Sequence, residues 1–145
     1  MPEMDPVRQG TVLAFDFGVK RIGVAVGEWA LCQAHALTTI RSEANAERFS
    51  RIGALIDEWK PVCLVVGRPV ALDGTPHEMT ARCTRFANQL RGRFGLPVEY
   101  ADERLSSAEA EERLRETGHT AKSAKEHLDA LAAQIILQGF FERFS

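Results

Sequence analysis

Apolar and polar positions alternate from Thr11 to Phe17 (TVLAFDF), and a second apolar stretch runs from Arg21 to Gly27 (RIGVAVG). Both are rich in β-formers, and Gly18-Val19-Lys20 lies between them, so the pattern predicts two strands paired through a tight turn. A third extended segment runs through about Ala30–Ile40 and ends on the β-branched Thr38-Thr39-Ile40. The period then changes. Ala46, Phe49, Ile52, Leu55, Ile56 and Trp59 recur at helical spacing until Pro61 stops them. Ser42 is the candidate cap of this helix, with Glu43 favourable near its positive end. Val62–Val66 (VCLVV) is a short unbroken apolar run, as expected of a strand buried on both faces, and Gly67-Arg68-Pro69 ends it.

Thr75-Pro76-His77-Glu78 reads as a capping box with proline at the first helical position, opening a helix that lasts to about Phe94. After the loop Gly95-Leu96-Pro97, Val98–Ala101 is a further short strand. Ser106-Ser107-Ala108-Glu109 is a second capping box, opening a short charged helix that Gly118 ends. Ser123-Ala124-Lys125-Glu126 is a third, leading into a final helix from Ala124 to about Arg143. The order β-β-β-α-β-α-β-α-α predicts an α/β domain built on one mixed sheet, with helices on both faces and one antiparallel strand. Residues 1–10 are expected to be a flexible lead and 11–145 a single domain.

Composition narrows the class without naming it. The chain has 145 residues, 45% of them hydrophobic, enough for one domain with a core of its own. No apolar run approaches the roughly 20 residues of a membrane helix, so no membrane partner is expected. The acidic, polar start MPEMDPVRQG lacks the features of a secretory signal, and the cysteine count of 3 suits a reducing cytoplasm. Cys32, Cys63 and Cys83 form no C-x-x-C pair and no ligand spacing with the histidines, which argues against zinc. A net charge of −2 counts against a uniformly basic nucleic-acid binder. Yet Met79–Val98 contains Arg82, Arg85, Arg91 and Arg93 and no acid. That segment is either a local phosphate-binding face or an ordinary solvated helix face.

Three acidic positions stand out. Asp16 lies one residue from the end of the first strand, where an unpaired carboxylate is costly. A divalent cation would compensate it; so would turn amides around Gly18. Asp102-Glu103-Arg104 follows the Val98–Ala101 strand, at the carboxyl edge where ligands of such sheets bind. An internal Glu–Arg pair in a polar loop is the alternative. Asp129 sits in an apolar helix with Ala132, Ala133 and Ile136 at the positions that share its face, and none of these supplies a partner. Three acids at one sheet end would bind Mg2+ or Mn2+ rather than zinc. Two such ions about 3.5–4 Å apart can activate water and stabilise the leaving oxygen of a phosphodiester. Asp16 would then bridge the ions, with Glu103 and Asp129 each completing one side. Lys20 or Arg21 could neutralise the scissile phosphate, or be ordinary exposed turn residues.

At these same residues the chain resembles the YqgF/RuvX family of bacterial pre-16S rRNA nuclease and Holliday-junction-resolvase-like proteins. Four segments carry the resemblance: Asp16–Ala25 (DFGVKRIGVA), Val66-Gly67-Arg68-Pro69 with Asp73-Gly74-Thr75, Asp102–Ser107 (DERLSS), and Lys125–Leu137 containing Asp129. The resemblance implies a ribonuclease H-like fold with a five-stranded sheet in the order 3-2-1-4-5, strand 2 antiparallel. It also implies a catalytic metal site at Asp16, Glu103 and Asp129, Asp102 matching the motif as well, and a role in ribosomal RNA maturation. Arg68 departs from the family, which usually has an apolar residue before Pro69. With Lys20, Arg21 and Arg104 it is a candidate substrate contact.

The leading expectation is an endonuclease acting on structured RNA such as precursor rRNA, cytoplasmic, possessing Mg2+ or Mn2+, and monomeric or weakly dimeric. Ribosomal particles are candidate partners. A resolvase of four-way DNA junctions is the alternative enzyme and would favour a stable dimer. A non-catalytic nucleic-acid-binding factor is the alternative outside enzymes. Asp-x-Gly after a first strand also occurs in actin-like ATPases, but those need two such domains, and 145 residues hold one.

Overall fold

The computed structural model describes residues 9–68, 78–102 and 121–143. The elements are β1 (Thr11–Phe17), β2 (Arg21–Glu28), β3 (Gln33–Arg41), α1 (Asn45–Trp59), β4 (Cys63–Arg68), α2 (Glu78–Phe94), β5 (Val98–Asp102) and α3 (Ala121–Glu142). The sheet order is β3-β2-β1-β4-β5. β2 is antiparallel to both neighbours, whereas β1, β4 and β5 run parallel. This is the ribonuclease H-like topology that the resemblance implies.

The two sheet faces differ in side-chain size, and this difference builds the layers. On one face Leu13, Phe15, Ile22, Val24, Leu64 and Val66 pack against Phe49 and Ile52 of α1 and Phe86 and Leu90 of α2. The Phe15 and Phe86 rings meet edge to face, with centroids 5.9 Å apart, a favourable aromatic arrangement. On the other face the strands offer Ala14, Ala25, Ala34, Cys63 and Ala101, over which Ala133, Ile136, Leu137 and Phe141 of α3 lie. Small residues bring α3 close to the strands. Burial follows the expected inward face of that helix: Ala132, Ala133 and Ile136 are all buried.

Several boundaries shift. Ser42 does not cap α1; Ala44 is the N-cap and makes no side-chain cap bond. Ser42 lies two residues too early, and its hydroxyl instead accepts from Ala44 N at 3.1 Å and donates to Glu47. At the other end Lys60 adopts the left-handed conformation and donates to Ile56 O, just before Pro61. β3 starts at Gln33 rather than Ala30, because residues 29–32 form a turn closed by Cys32 N donating to Glu28 O. β4 runs Cys63–Arg68 instead of Val62–Val66, and α3 begins at Ala121, so Ser123 lies inside the helix rather than capping it. The second capping box and its short helix, and Thr75-Pro76-His77, lie outside the described residues. Among the described residues no helix is long and apolar enough to cross a membrane.

Candidate active site

Asp16 is the penultimate residue of β1 and pairs directly with Gly23 of β2. Strand alternation groups it with Val12 and Ala14, which join the α3 face, rather than with Leu13 and Phe15. Gly23 determines what can approach that face. A Cβ built on it would lie 1.9 Å from Asp129 O and 3.0 Å from Ala130 N. Both are backbone atoms, so no other residue fits here without moving α3. The helix therefore rests on the β2 position opposite Asp16, bringing Asp129 to the same face one strand away. Two acids far apart in sequence come to one face of the sheet because one residue lacks a side chain.

Asp129 has its counter-charge on β2. Arg21 Nε lies 3.1 Å from Asp129 Oδ2, with the two side chains 43% and 22% exposed. The neighbours of Asp129 along α3, Ala132, Ala133 and Ile136, offer no counter-charge; the cation comes from the first residue of β2. A pair this exposed contributes about 0–1 kcal/mol, little enough for either member to change partners. Lys20, in the β1–β2 turn, is exposed.

Arg48 is a positioning residue that sequence reasoning missed. It is buried, and its guanidinium donates to Gly18 O at 2.8 Å, to Val19 O at 2.5 Å and to Ser42 O. It also lies 5.4 Å from the centre of the Phe17 ring. It thus ties the turn after Asp16 to the start of α1. Burial lowers its pKa from the usual arginine range, and nearby Glu43 opposes that shift. The signal was present: Arg48, Ile52, Leu55 and Trp59 share one helical stripe, where an arginine must find acceptors.

Arg68 and Asp102 end β4 and β5 and pair in register. Their side chains lie outside the description, as do Glu103 and Arg104 entirely. Asp102 occupies the strand parity of Val98 and Tyr100, which belong to the α1/α2 side, whereas Ala101 joins the α3 side. Among the described residues no group of three or more His, Cys, Asp or Glu is assembled that could hold a metal ion. Of the candidate ligands, Asp16 and Asp129 have carboxylates on one face of the sheet, the donor type that Mg2+ and Mn2+ take, so the residues present fit such an ion.

The chain matches, over residues 10–143, the family described as "RuvX: Holliday junction resolvase". It belongs to the RuvX family. A relative in Dechloromonas aromatica, named "Putative pre-16S rRNA nuclease", is 64% identical over 92% of this chain and 91% of its own. One of the same name in Methylobacillus flagellatus is 53% identical over 98% of this chain and 97% of its own. Among solved structures, Thermus thermophilus RuvC in complex with a Holliday junction substrate superposes with a TM-score of 0.55 at 18% identity. That match covers 94% of this chain and 96% of the RuvC chain. It shows that RuvX and RuvC share the ribonuclease H-like fold.

Proposed function

We propose that this RuvX protein is a metal-dependent endonuclease that hydrolyses phosphodiester bonds in structured RNA, in 5′-end maturation of precursor 16S rRNA in the cytoplasm. The observation that carries the proposal is the seating of Asp129 on Gly23, opposite Asp16. The name shared by relatives up to 64% identical supports the RNA substrate. Asp16, Glu103 and Asp129 would hold Mg2+ or Mn2+, with Asp16 between the other two. Bound ions would supply Lewis-acid polarisation and a nucleophilic water of lowered pKa. The chain's own residues orient the substrate. Arg21 stands beside Asp129 and Lys20 is exposed in the adjoining turn, so both can face a phosphate. Arg68 and Arg104 are further contacts of the same kind, and Arg48 keeps the turn in place. Ribosomal particles would deliver the RNA to a monomer or weak dimer.

The family description favours a second reading, a junction resolvase. Cleavage of labelled precursor 16S rRNA and of a four-way DNA junction, by wild type and Asp16→Asn with Mn2+ or EDTA, separates the two. RNA cleavage lost in Asp16→Asn and in EDTA is the expected result. The same pattern on the junction alone would transfer the activity to DNA. Binding without cleavage of either would leave a nucleic-acid-binding factor.

A further inference from the structure

The sheet face opposite Asp16 carries a second feature at the same strand end. The β1–β2 turn, the start of α1 and the side of α2 enclose a cavity of about 230 Å³, lined by Phe17, Val19, Arg48, Arg82, Arg85 and Gln89 among others. Glu43 is the acid of this lining, set against three arginines, in a chain whose net charge is −2. Arg82, Arg85 and Gln89 fall at spacings of three and four, hence on one face of α2. Arg85 is exposed and enters no ion pair among the described residues. Phe17 and the 44% exposed Val19 add apolar surface beside these cations.

Arg91 and Arg93 of the basic run are engaged elsewhere on the domain. Arg91 donates to Val98 O at 2.9 Å and to Asn88 Oδ1 at 2.8 Å, and stacks near Tyr100. Arg93 lies 4.2 Å from the centre of the Phe49 ring. Arg82 and Arg85 are the arginines of the run that line the cleft.

We propose that this cleft binds single-stranded RNA beside the scissile bond, with Arg85 and Arg82 meeting a backbone phosphate and Phe17–Val19 meeting a base or ribose. Mixed cationic and apolar lining is the recognition chemistry of a single strand, in which phosphate and unstacked base are both available. The cavity is smaller than the roughly 300–1,000 Å³ of enclosed ligand sites, which suits a strand passing across it. Phe17 directly follows Asp16, with neighbouring Cα atoms about 3.8 Å apart. A strand cut on the Asp16 face therefore reaches the cleft by crossing the β1–β2 turn, past exposed Lys20. The inference rests on the nuclease reading.

The test uses the full chain carrying Asp16→Asn, so that RNA is held and not cut. Fluorescence anisotropy with a labelled single-stranded RNA gives Kd at several salt concentrations, and circular dichroism melting checks the fold. Adding Arg85→Gln is expected to weaken binding about fivefold and to lower the slope of log K against log[salt] by about 0.7. Arg51→Gln, on α1 outside the cleft and paired with Glu47, is expected to change neither. Equal affinity and slope for the two arginine variants would overturn the cleft proposal and leave the nuclease reading standing. Arg85-dependent binding of a four-way junction without binding of single-stranded RNA would also overturn it. No binding of any nucleic acid by the Asp16→Asn protein would overturn the nuclease reading itself.

Discussion

Gly23 is held by what lies above it. In Gly23→Ala the new methyl must displace the α3 backbone at Asp129 rather than a flexible side-chain end. A loss of about 3 kcal/mol is expected, at the upper end of overpacking costs. Calorimetric melting would show it as a drop of roughly 6–12 °C for a chain of this size. Arg21→Gln acts differently. It removes a cation from beside Asp129 without touching the core, so Mn2+ affinity should rise about fivefold by titration while cleavage falls. Cys63 gives a pH prediction. Burial raises its thiol to about 12, Glu99 adding to the effect, against 9.0 for an ordinary thiol. The unfolded chain thus ionises first, so the stability this thiol contributes is intact below about pH 9 and is lost between pH 9 and 12. Urea unfolding across that window should show the decline in wild type and less of it in Cys63→Ala. At pH 8 an aromatic disulfide reagent should titrate Cys32, which is half-buried, and reach Cys63 and Cys83 only after denaturation.

At the scale of elements, α3 does more than cover a face. Gln138 accepts from Ala34 N at 3.0 Å and donates to Cys32 O at 2.9 Å, and Gln134 donates to Ala34 O at 2.9 Å. The helix thereby pairs backbone groups at the start of the edge strand β3, which sheet edges otherwise leave open. Gln138→Ala leaves two of them without their partner, at an expected cost of about 1–3 kcal/mol by urea unfolding, with faster hydrogen exchange at Ala34. Strand positions and the inward stripe of α3 were legible because periods of two and of 3.6 are written in apolar residues. So were the positions of Asp16 and Asp129, as acids in apolar contexts. The glutamine clamp, the Arg21 partner of Asp129 and the role of Arg48 were not. Each depends on which helix docks on which strand, a long-range fact that local spacing does not carry. Capping residues misled for a related reason: Ser42 and Ser123 have the right chemistry, but neither stands where its helix begins.

For the whole molecule, the sheet separates two tasks. Its large-residue face, filled by α1 and α2, builds one hydrophobic cluster and leaves Arg82 and Arg85 beside a cleft. Its small-residue face admits α3 so closely that the Asp129 backbone rests on Gly23, the β2 partner of Asp16. Both features open at the end of β1, and on the proposed reading a chain of net charge −2 would handle a polyanion through local fields rather than overall charge. The central claim is that Asp16 and Asp129 serve one divalent cation site. Calorimetric titration of Mn2+ into wild type, Asp16→Asn and Asp129→Asn tests it without requiring a substrate. The account predicts wild-type binding that weakens about tenfold or more in each variant while circular dichroism melting shows both still folded. Mn2+ affinity unchanged in both folded variants would contradict it.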